Sequence, residues 1–317
     1  MRLRSLPGLT TPCSAIVLGT GGFGSAVTRD ESYAMLDAFV EAGGTALDSA
    51  HIYAAWLPGG TGTSERTIGA WLASRGLRDH MLIGTKGGHP PLDSGSGKLR
   101  PELIAPHLLD SLERLQQPVI DLYWLHRDDE SIPVDEILGA MQPHMRAGTI
   151  RAIGASNWSW QRLDEAESCA KQRGWTGFAA SQINWSLASF ASSHRFGGGM
   201  CGMDADTLLW HVDSGLAQMP YSSQANGYFA KPLAQSLERL PQYADPANPR
   251  RWLLAQAASA RLGVSANAIA LAWLLQHPQG GFGIIGPKDR AQLADSMAAA
   301  DLILDAETFS ALGAALV

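Results

Sequence analysis

Short apolar runs alternate with helical patterns along most of this chain of 317 residues. Eight runs, most of them bounded by Gly, Pro or polar residues, are typical of buried parallel strands. The predicted strands are 15–18, 45–48, 81–86, 120–126, 150–157, 178–185, 216–222 and 282–286. Between them, apolar residues recur every three to four positions, which predicts helices. The predicted helices are 32–42, 64–75, 101–115, 133–147, 160–173, 205–214, 251–262, 266–276, 290–299 and 306–316.

This alternation predicts a single α/β domain over residues 1–317, a (β/α)8 TIM barrel. A short N-terminal β-hairpin over residues 2–12 is expected before the first barrel strand, turning at Pro7 and Gly8. Two long loops, 194–202 and 226–249, connect later elements. Loops on a rigid scaffold commonly determine specificity, so both are expected to shape a substrate site.

Net charge, hydropathy and cysteine content limit the partners and the location expected for the protein. The formal net charge is −6 with a pI of about 5.8, and this argues against nucleic acid. No apolar run is long enough to span a bilayer, and the basic start lacks the apolar segment of a secretory signal. Three scattered cysteines lack metal-ligand spacing and fit a reducing compartment. We therefore expect a cytoplasmic protein without a metal site or a membrane segment.

Two other kinds of protein fit parts of the sequence. The run 19–24 matches G-x-G-x-x-G after a strand, and Asp48 lies near the position of a ribose-binding acid. Against a Rossmann domain, the polar segment 26–30 separates the glycines from the helical pattern, and the strand–helix rhythm continues to the end. A barrel glycosidase needs paired carboxylates at strand ends, but the predicted fourth strand ends in His126.

Polar and ionisable residues occupy the ends of the predicted strands, where barrel enzymes carry their chemistry. They are Asp48 with Tyr53 beyond it, Lys86, His126, Ser156, Asn157, Gln182, Tyr221 and Ser222. The first four suit proton transfer to a carbonyl oxygen. Tyrosine has an ordinary pKa of about 10, and an adjacent Lys86 ammonium is expected to lower it. Asp48 would hold Lys86, and His126 would orient the oxygen.

These residues resemble the catalytic tetrad of the aldo-keto reductase family, in order. The tetrad-like residues are Asp48, Tyr53, Lys86 in Gly84-Thr85-Lys86, and His126 in Asp121-Leu122-Tyr123-Trp124-Leu125-His126. The stretches 154–157, 181–182, 221–222 and 285–288 resemble that family's cofactor motifs, so the resemblance covers nearly the whole chain. It implies a barrel that binds NADPH in extended form, with Tyr53 as the general acid.

The resemblance also assigns the remaining cofactor contacts. Ser156, Asn157 and Gln182 would hold the carboxamide, and Tyr221 would stack on the nicotinamide. Thr20 and Gly21, at the end of the first strand, would also contact the cofactor. The residues expected at its pyrophosphate, 2′-phosphate and adenosine are Ser222, Gln224, Gly227, Lys288, Arg290, Gln292, Asp295 and Ser296. Many members carry Asn at the positions of Ser181 and Ser296.

On the substrate side, Phe23, Trp56 and Trp158 are expected to form pocket walls. Aromatics beside a polar strand end suit a sugar, a cyclic ketone or a bulky aldehyde. Arg127 follows His126 where small-aldehyde enzymes of the family often carry Trp-Pro, so the chain departs from their aromatic slot.

The expected function is NADPH-dependent reduction of a small-molecule carbonyl. The alternatives are a nucleotide-binding partner protein, like the potassium-channel β subunits, and a barrel hydrolase.

Overall fold

A computed structural model describes residues 1–94 and 97–314 of the chain. It opens with an antiparallel hairpin of β1 (Leu3–Arg4) and β2 (Cys13–Ser14), in which Leu3 pairs with Ser14. The predicted hairpin is confirmed, but its second strand begins just beyond the expected segment 2–12.

Eight further strands form one parallel sheet in which neighbours in sequence are neighbours in space. They are β3 (Ile16–Gly19), β4 (Ala46–Asp48), β5 (Leu82–Gly87), β6 (Ile120–Leu125), β7 (Ile150–Ser156), β8 (Ala180–Gln182), β9 (Ala217–Gln218) and β10 (Gly283–Ile285). The last strand pairs with the first, since Ile284 lies opposite Val17. The amide of Ile284 also donates to Pro220 O at 2.9 Å, beside β9. These contacts close the strands into the predicted (β/α)8 barrel, and the sheet order excludes the Rossmann alternative.

Helices surround this sheet. They are α1 (Arg29–Glu41), α2 (Thr63–Arg75), α3 (Ile104–Leu115), α4 (Val134–Arg146), α5 (Trp160–Arg173), α6 (Ala205–Ser214), α7 (Leu233–Arg239), α8 (Asn248–Leu262), α9 (Ala266–Gln276), α10 (Arg290–Met297) and α11 (Ala306–Gly313). The predicted end of the last helix, at 316, lies outside the described residues. Within the described part of the chain, no single helix is long and apolar enough to cross a membrane. The adjacent α8 and α9 meet the length and composition criteria only as a pair bent by 101°.

The two-residue period of the strands separates two cores. In β6, Tyr123 and Leu125 pack in the outer core between sheet and helices, whereas Leu122 and Trp124 belong to the core inside the barrel. Because side chains alternate across a strand, His126 continues the inward series. The same parity makes Asp48 follow the inward Ala46 on β4.

A glycine makes room for the largest side chain inside the barrel. A Cβ on Gly154 of β7 would lie 2.3 Å from the ring of Trp124, which is fully buried. No side chain fits that space without displacing the indole. The Trp124 ring therefore fills the barrel interior two residues below His126.

Several sequence boundaries were wrong for identifiable reasons. The expected loop 226–249 contains α7 and two 3-10 turns, Ala225–Ala230 and Pro241–Tyr243, and it ends where α8 begins at Asn248. These elements are too short to show a helical period. The first helix begins at Arg29, three residues before the prediction, because Thr28 and Glu31 form a capping box. The predicted strands 178–185 and 216–222 shorten to Ala180–Gln182 and Ala217–Gln218.

Candidate active site

Three neighbouring strand ends bring together the first group of predicted residues. Asp48 ends β4, Lys86 lies one residue before the end of β5, and His126 directly follows β6. The Lys86 ammonium donates to the Asp48 carboxylate, to Ser49 O at 2.8 Å and to the Tyr53 hydroxyl at 3.0 Å. Lys86 and Asp48 are 1% and 2% exposed, so the ion pair is sealed from solvent beneath the phenol.

Backbone contacts fix the turn that carries Tyr53. The amide of Ser49 donates to Gly84 O, and the amide of His51 donates to Lys86 O, both at 2.9 Å. On its outer side, His51 Nε2 contacts Asp110 Oδ2 at 2.9 Å, and its ring stacks on His107 with centroids 3.7 Å apart. His51 therefore anchors the turn to α3, in keeping with a structural role.

The pKa of Tyr53 moves in the opposite direction from the sequence expectation. Burial raises the pKa of the Tyr53 phenol, and the Asp48 charge adds to that rise, whereas the Lys86 charge and hydrogen bond lower it. Lys86 lowers this pKa, as predicted, but burial has the larger effect and Asp48 offsets part of the lysine's effect, so the net shift is upward. Burial is the largest single effect on the pKa of Lys86 and lowers it, but the charges of Asp48 and Tyr53 and the hydrogen bonds to both together outweigh burial, so the pKa of Lys86 is raised.

His126 stands across from the phenol. Its ring centroid lies 6.2 Å from that of Tyr53, at 77°, and 5.1 Å from that of His89. Burial, followed by the charges of Arg127 and Lys86, lowers the pKa of His126 well below its ordinary value. A neutral imidazole therefore faces Tyr53 near neutral pH, and it carries a single N–H donor.

An elongated groove of about 710 Å³ leads away from Tyr53 across the ends of β9, β10 and β3. Most of the predicted cofactor residues line it. These are Gly21, Tyr221, Ser222, Gln224, Gly227, Lys288, Gln292, Asp295 and Ser296. Arg290 is exposed and does not line the groove, so the structure separates it from Lys288.

The other predicted cofactor residues lie beneath or beside the groove. Thr20 is fully buried, and its hydroxyl donates to Asp48 O at 3.0 Å, which secures the end of β4. Gln182 Nε2 donates to Asp48 Oδ1 at 3.1 Å, giving the carboxylate a second donor. Asn157 Oδ1 accepts from the Tyr221 hydroxyl at 2.8 Å, and Asn157 Nδ2 donates to Ser156 Oγ at 3.0 Å.

The comparisons with known proteins agree with this geometry. The model of the Aldo/keto reductase family matches residues 15–316. This chain belongs to the aldo/keto reductase family.

Curated relatives of this aldo/keto reductase share about three residues in ten with it. The "Uncharacterized oxidoreductase YrpG" of Bacillus subtilis is 30% identical over 304 residues, covering 93% of this chain and 89% of its own. The norsolorinic acid reductase stcV of Emericella nidulans is 29% identical over 296 residues, covering 88% and 72%. The "Probable voltage-gated potassium channel subunit beta" of Oryza sativa is 28% identical over 298 residues, covering 89% and 85%. The family match and the relatives named as oxidoreductases or reductases support an oxidoreductase.

Two of the three expected pocket walls of this aldo/keto reductase lie elsewhere. Phe23 is 1% exposed and packs in the outer core, so the expectation that it forms a wall was wrong: the glycine-rich segment turns its ring inward. Trp158 is equally buried, and it lines a separate cavity of about 710 Å³ beside the loop 194–202. Trp56 is 57% exposed, and its ring stands edge-on to that of Tyr53 with centroids 6.5 Å apart.

Sequence reasoning missed a cation in the groove. Lys231 lines it, and its ammonium donates to the carbonyl oxygens of Asn226 and Gly227, at 3.3 and 3.2 Å. Lys231 lies four residues beyond Gly227, itself a predicted pyrophosphate contact. That spacing could have drawn attention to the lysine, but the assumed long loop hid the 3-10 turn that brings them together.

Proposed function

We propose that this aldo/keto reductase is an NADPH-dependent carbonyl reductase, which converts an aldehyde or ketone to an alcohol with Tyr53 as the general acid. The observation that carries the proposal is the position of the Lys86 ammonium between the Asp48 carboxylate and the Tyr53 hydroxyl. An ordinary structural tyrosine has no need of a buried ion pair beneath its hydroxyl. A phenol that gives up its proton does, because the ammonium stabilises the phenolate left behind.

The groove has the chemistry that a dinucleotide requires. Among the described residues, no carboxylate forms an ion pair with Lys231 or Lys288, although both line the groove. In the described part of the chain, the buried Gln224 Nε2 amide beside them has no hydrogen-bond partner. Two cations without a carboxylate partner and an unsatisfied donor suit phosphate and ribose oxygens. In this proposal Lys231 and Gln224 hold the pyrophosphate, and Lys288 meets the 2′-phosphate that distinguishes NADPH from NADH.

The residues around Tyr53 have distinct tasks. A bound reduced nicotinamide supplies the hydride for the carbonyl carbon. The Tyr53 hydroxyl then donates its proton to the carbonyl oxygen as negative charge develops there. The neutral His126 ring donates a hydrogen bond to the same oxygen and orients it. Losing one donor of this kind typically lowers the rate on the order of 100- to 1000-fold.

The decisive experiment measures NADPH oxidation with a panel of aldehydes and ketones. Wild-type protein should turn over, and Tyr53→Phe should lose at least about 100-fold in kcat while still binding NADPH. Tyr33→Phe is a matched control, because the Tyr33 hydroxyl also accepts from a cation, Arg29, at 3.0 Å, but on α1. Full activity in Tyr53→Phe would refute the assigned acid.

The rice relative gives a second candidate, a nucleotide-binding partner protein without turnover. Binding of NADPH without oxidation by any carbonyl of the panel would favour it. We prefer the reductase, because all four tetrad-like residues, Asp48, Tyr53, Lys86 and His126, are present and in contact or close proximity.

A further inference from the structure

The arginine that follows His126 does not extend into solvent. Arg127 Nη1 donates back to His126 O at 2.8 Å, and Arg127 Nε donates to Gly198 O at 2.8 Å. The side chain therefore bridges the end of β6 and the loop 194–202. Its guanidinium folds over the catalytic strand ends.

Shared contacts place this guanidinium beside Tyr221. Asn157 Nδ2 donates to the same carbonyl, His126 O, at 3.3 Å. Asn157 Oδ1 in turn accepts from the Tyr221 hydroxyl and from Cys201 N, the latter at 3.2 Å. The charge of Arg127 also acts on the phenols of Tyr53 and Tyr221: burial raises their pKa values, and the Arg127 charge opposes that rise. Arg127 thus lies between the predicted acid, Tyr53, and the predicted nicotinamide platform, Tyr221. We call the surrounding group of side chains the cup; its titratable members besides Arg127 are Asp48, Tyr53, Lys86, His89, His126, Cys201 and Tyr221.

The neighbouring carboxylates are already engaged by other cations. Asp128 pairs with Arg162 at 2.9 Å, and Asp129 pairs with Lys98 at 3.0 Å. Within residues 1–94 and 97–314, no carboxylate lies within ion-pair distance of Arg127. Its partners are two neutral carbonyl oxygens, and its Nη2 makes no hydrogen bond in the described structure. An arginine stays protonated in a protein, so this half-buried cation lacks a counter-charge.

The other titratable groups of the cup carry no net charge near neutral pH. Asp48 and Lys86 cancel each other. Burial lowers the pKa values of His126 and His89, and it raises those of the Tyr53 and Tyr221 phenols and, to about 11, that of the Cys201 thiol. Arg127 therefore gives the cup a net positive charge.

We propose that Arg127 determines specificity by binding a carboxylate carried by the carbonyl substrate. A planar guanidinium with unused N–H donors matches a carboxylate, and partial burial strengthens the charge-assisted hydrogen bonds. This inference deepens the proposed function and depends on the same cup. It selects oxo-acids and aldehyde-acids over neutral carbonyls of the same shape.

The test compares charged and neutral versions of one substrate. The substrates are 2-, 3- and 4-formylbenzoate and their methyl esters, with NADPH and near-physiological salt. The proteins are wild type, Arg127→Gln, Arg127→Lys and a matched control, Arg195→Gln. Arg195 lies on the same loop, and it too donates to carbonyl oxygens, those of Ser192 and His194, at 2.9 Å each.

Wild type should prefer at least one acid to its ester in kcat/KM. Arg127→Gln should lower kcat/KM for that acid about 10- to 100-fold more than for its methyl ester, so that the preference for the acid is lost. Arg127→Lys should recover part of the preference, and Arg195→Gln should keep all of it. Equal rates for acids and esters in wild type, or an equal loss of both in Arg127→Gln, would overturn the inference and leave the reductase function standing.

A binding measurement separates the two proposals if no compound is reduced. Calorimetry with benzoate and benzamide, in the presence of NADP+, needs no turnover. Tighter binding of benzoate by wild type, lost in Arg127→Gln but not in Arg195→Gln, supports the carboxylate site even if the reductase function fails. Equal binding of the two compounds refutes it.

Discussion

Replacing Lys86 with methionine tests how far the buried ion pair supports the fold as well as the chemistry. The ammonium is the partner of three oxygens, and without it the Asp48 carboxylate would keep, among the described residues, the Gln182 amide at 3.1 Å as its hydrogen-bond donor. Leaving one charge of a buried pair uncompensated typically costs about 3–5 kcal/mol. We expect Lys86→Met to reduce the free energy of unfolding by that amount and to abolish turnover.

The double variant Asp48→Asn/Lys86→Met distinguishes this reasoning from a packing effect. With both charges removed, the loss of stability should be well below the sum of the two single losses, because no unpaired charge remains. Activity should stay absent, since Tyr53 then lacks its cation.

Urea unfolding followed by tryptophan fluorescence and circular dichroism measures wild type, the two single variants Asp48→Asn and Lys86→Met, and the double variant. Arg75→Met is the control: its pair with Asp37 at 2.8 Å is partly exposed, and losing it should cost below about 1 kcal/mol. Additive losses in the double variant would refute the account of Lys86 as the counter-ion of a buried carboxylate.

Two further predictions concern the cofactor groove and pH. Lys288→Ala should raise KM for NADPH about 10-fold or more and change KM for NADH little. Arg290→Ala should change KM for NADPH less than Lys288→Ala does, because Lys288 lines the groove and Arg290 does not. Equal effects of the two variants on KM for NADPH would contradict the assignment. Burial lowers the pKa of His211 to about 4, below the unfolded value of about 6.5. Protonation therefore favours the unfolded state, so the stability that comes from burying neutral His211 is complete above about pH 6.5 and decreases as pH falls towards 4. Between pH 7 and 5 the free energy of unfolding should fall by about 2 kcal/mol through His211. His211→Gln should lose correspondingly less stability over that interval, as measured by urea unfolding at each pH. An unchanged pH dependence in the variant would exclude His211 as the cause.

The strand ends were predictable because a two-residue period leaves little freedom. Residues two apart lie on the same side of a strand, so Trp124 faces the same way as His126 on β6, and the buried position of Trp124 agrees. The apolar runs likewise gave all eight barrel strands, although their polar ends overextended the predictions at β8 and β9. These features depend on local alternation, which one sequence displays.

Features that depend on three-dimensional surroundings were not predictable in the same way. The sequence suggested that the Lys86 charge would determine the pKa of the Tyr53 phenol, but burial has the larger effect on that pKa and raises it. Phe23 gave no sign that its ring would turn into the core. The placement of Arg127 depends on Gly198, which lies 71 positions further along the chain. No local pattern reports such a contact.

The hydrogen bond between Gln182 and Asp48 has a consequence for folding. It joins residues 134 positions apart, from the second and sixth strands of the barrel. Contacts at such separation form late, because a long loop must close first. During refolding, the first four barrel strands can pair Asp48 with Lys86, but the carboxylate lacks its second donor until β8 docks. Recovery of catalytic activity should therefore lag behind recovery of helical circular dichroism, and a fragment ending before β8 should leave Asp48 incompletely satisfied.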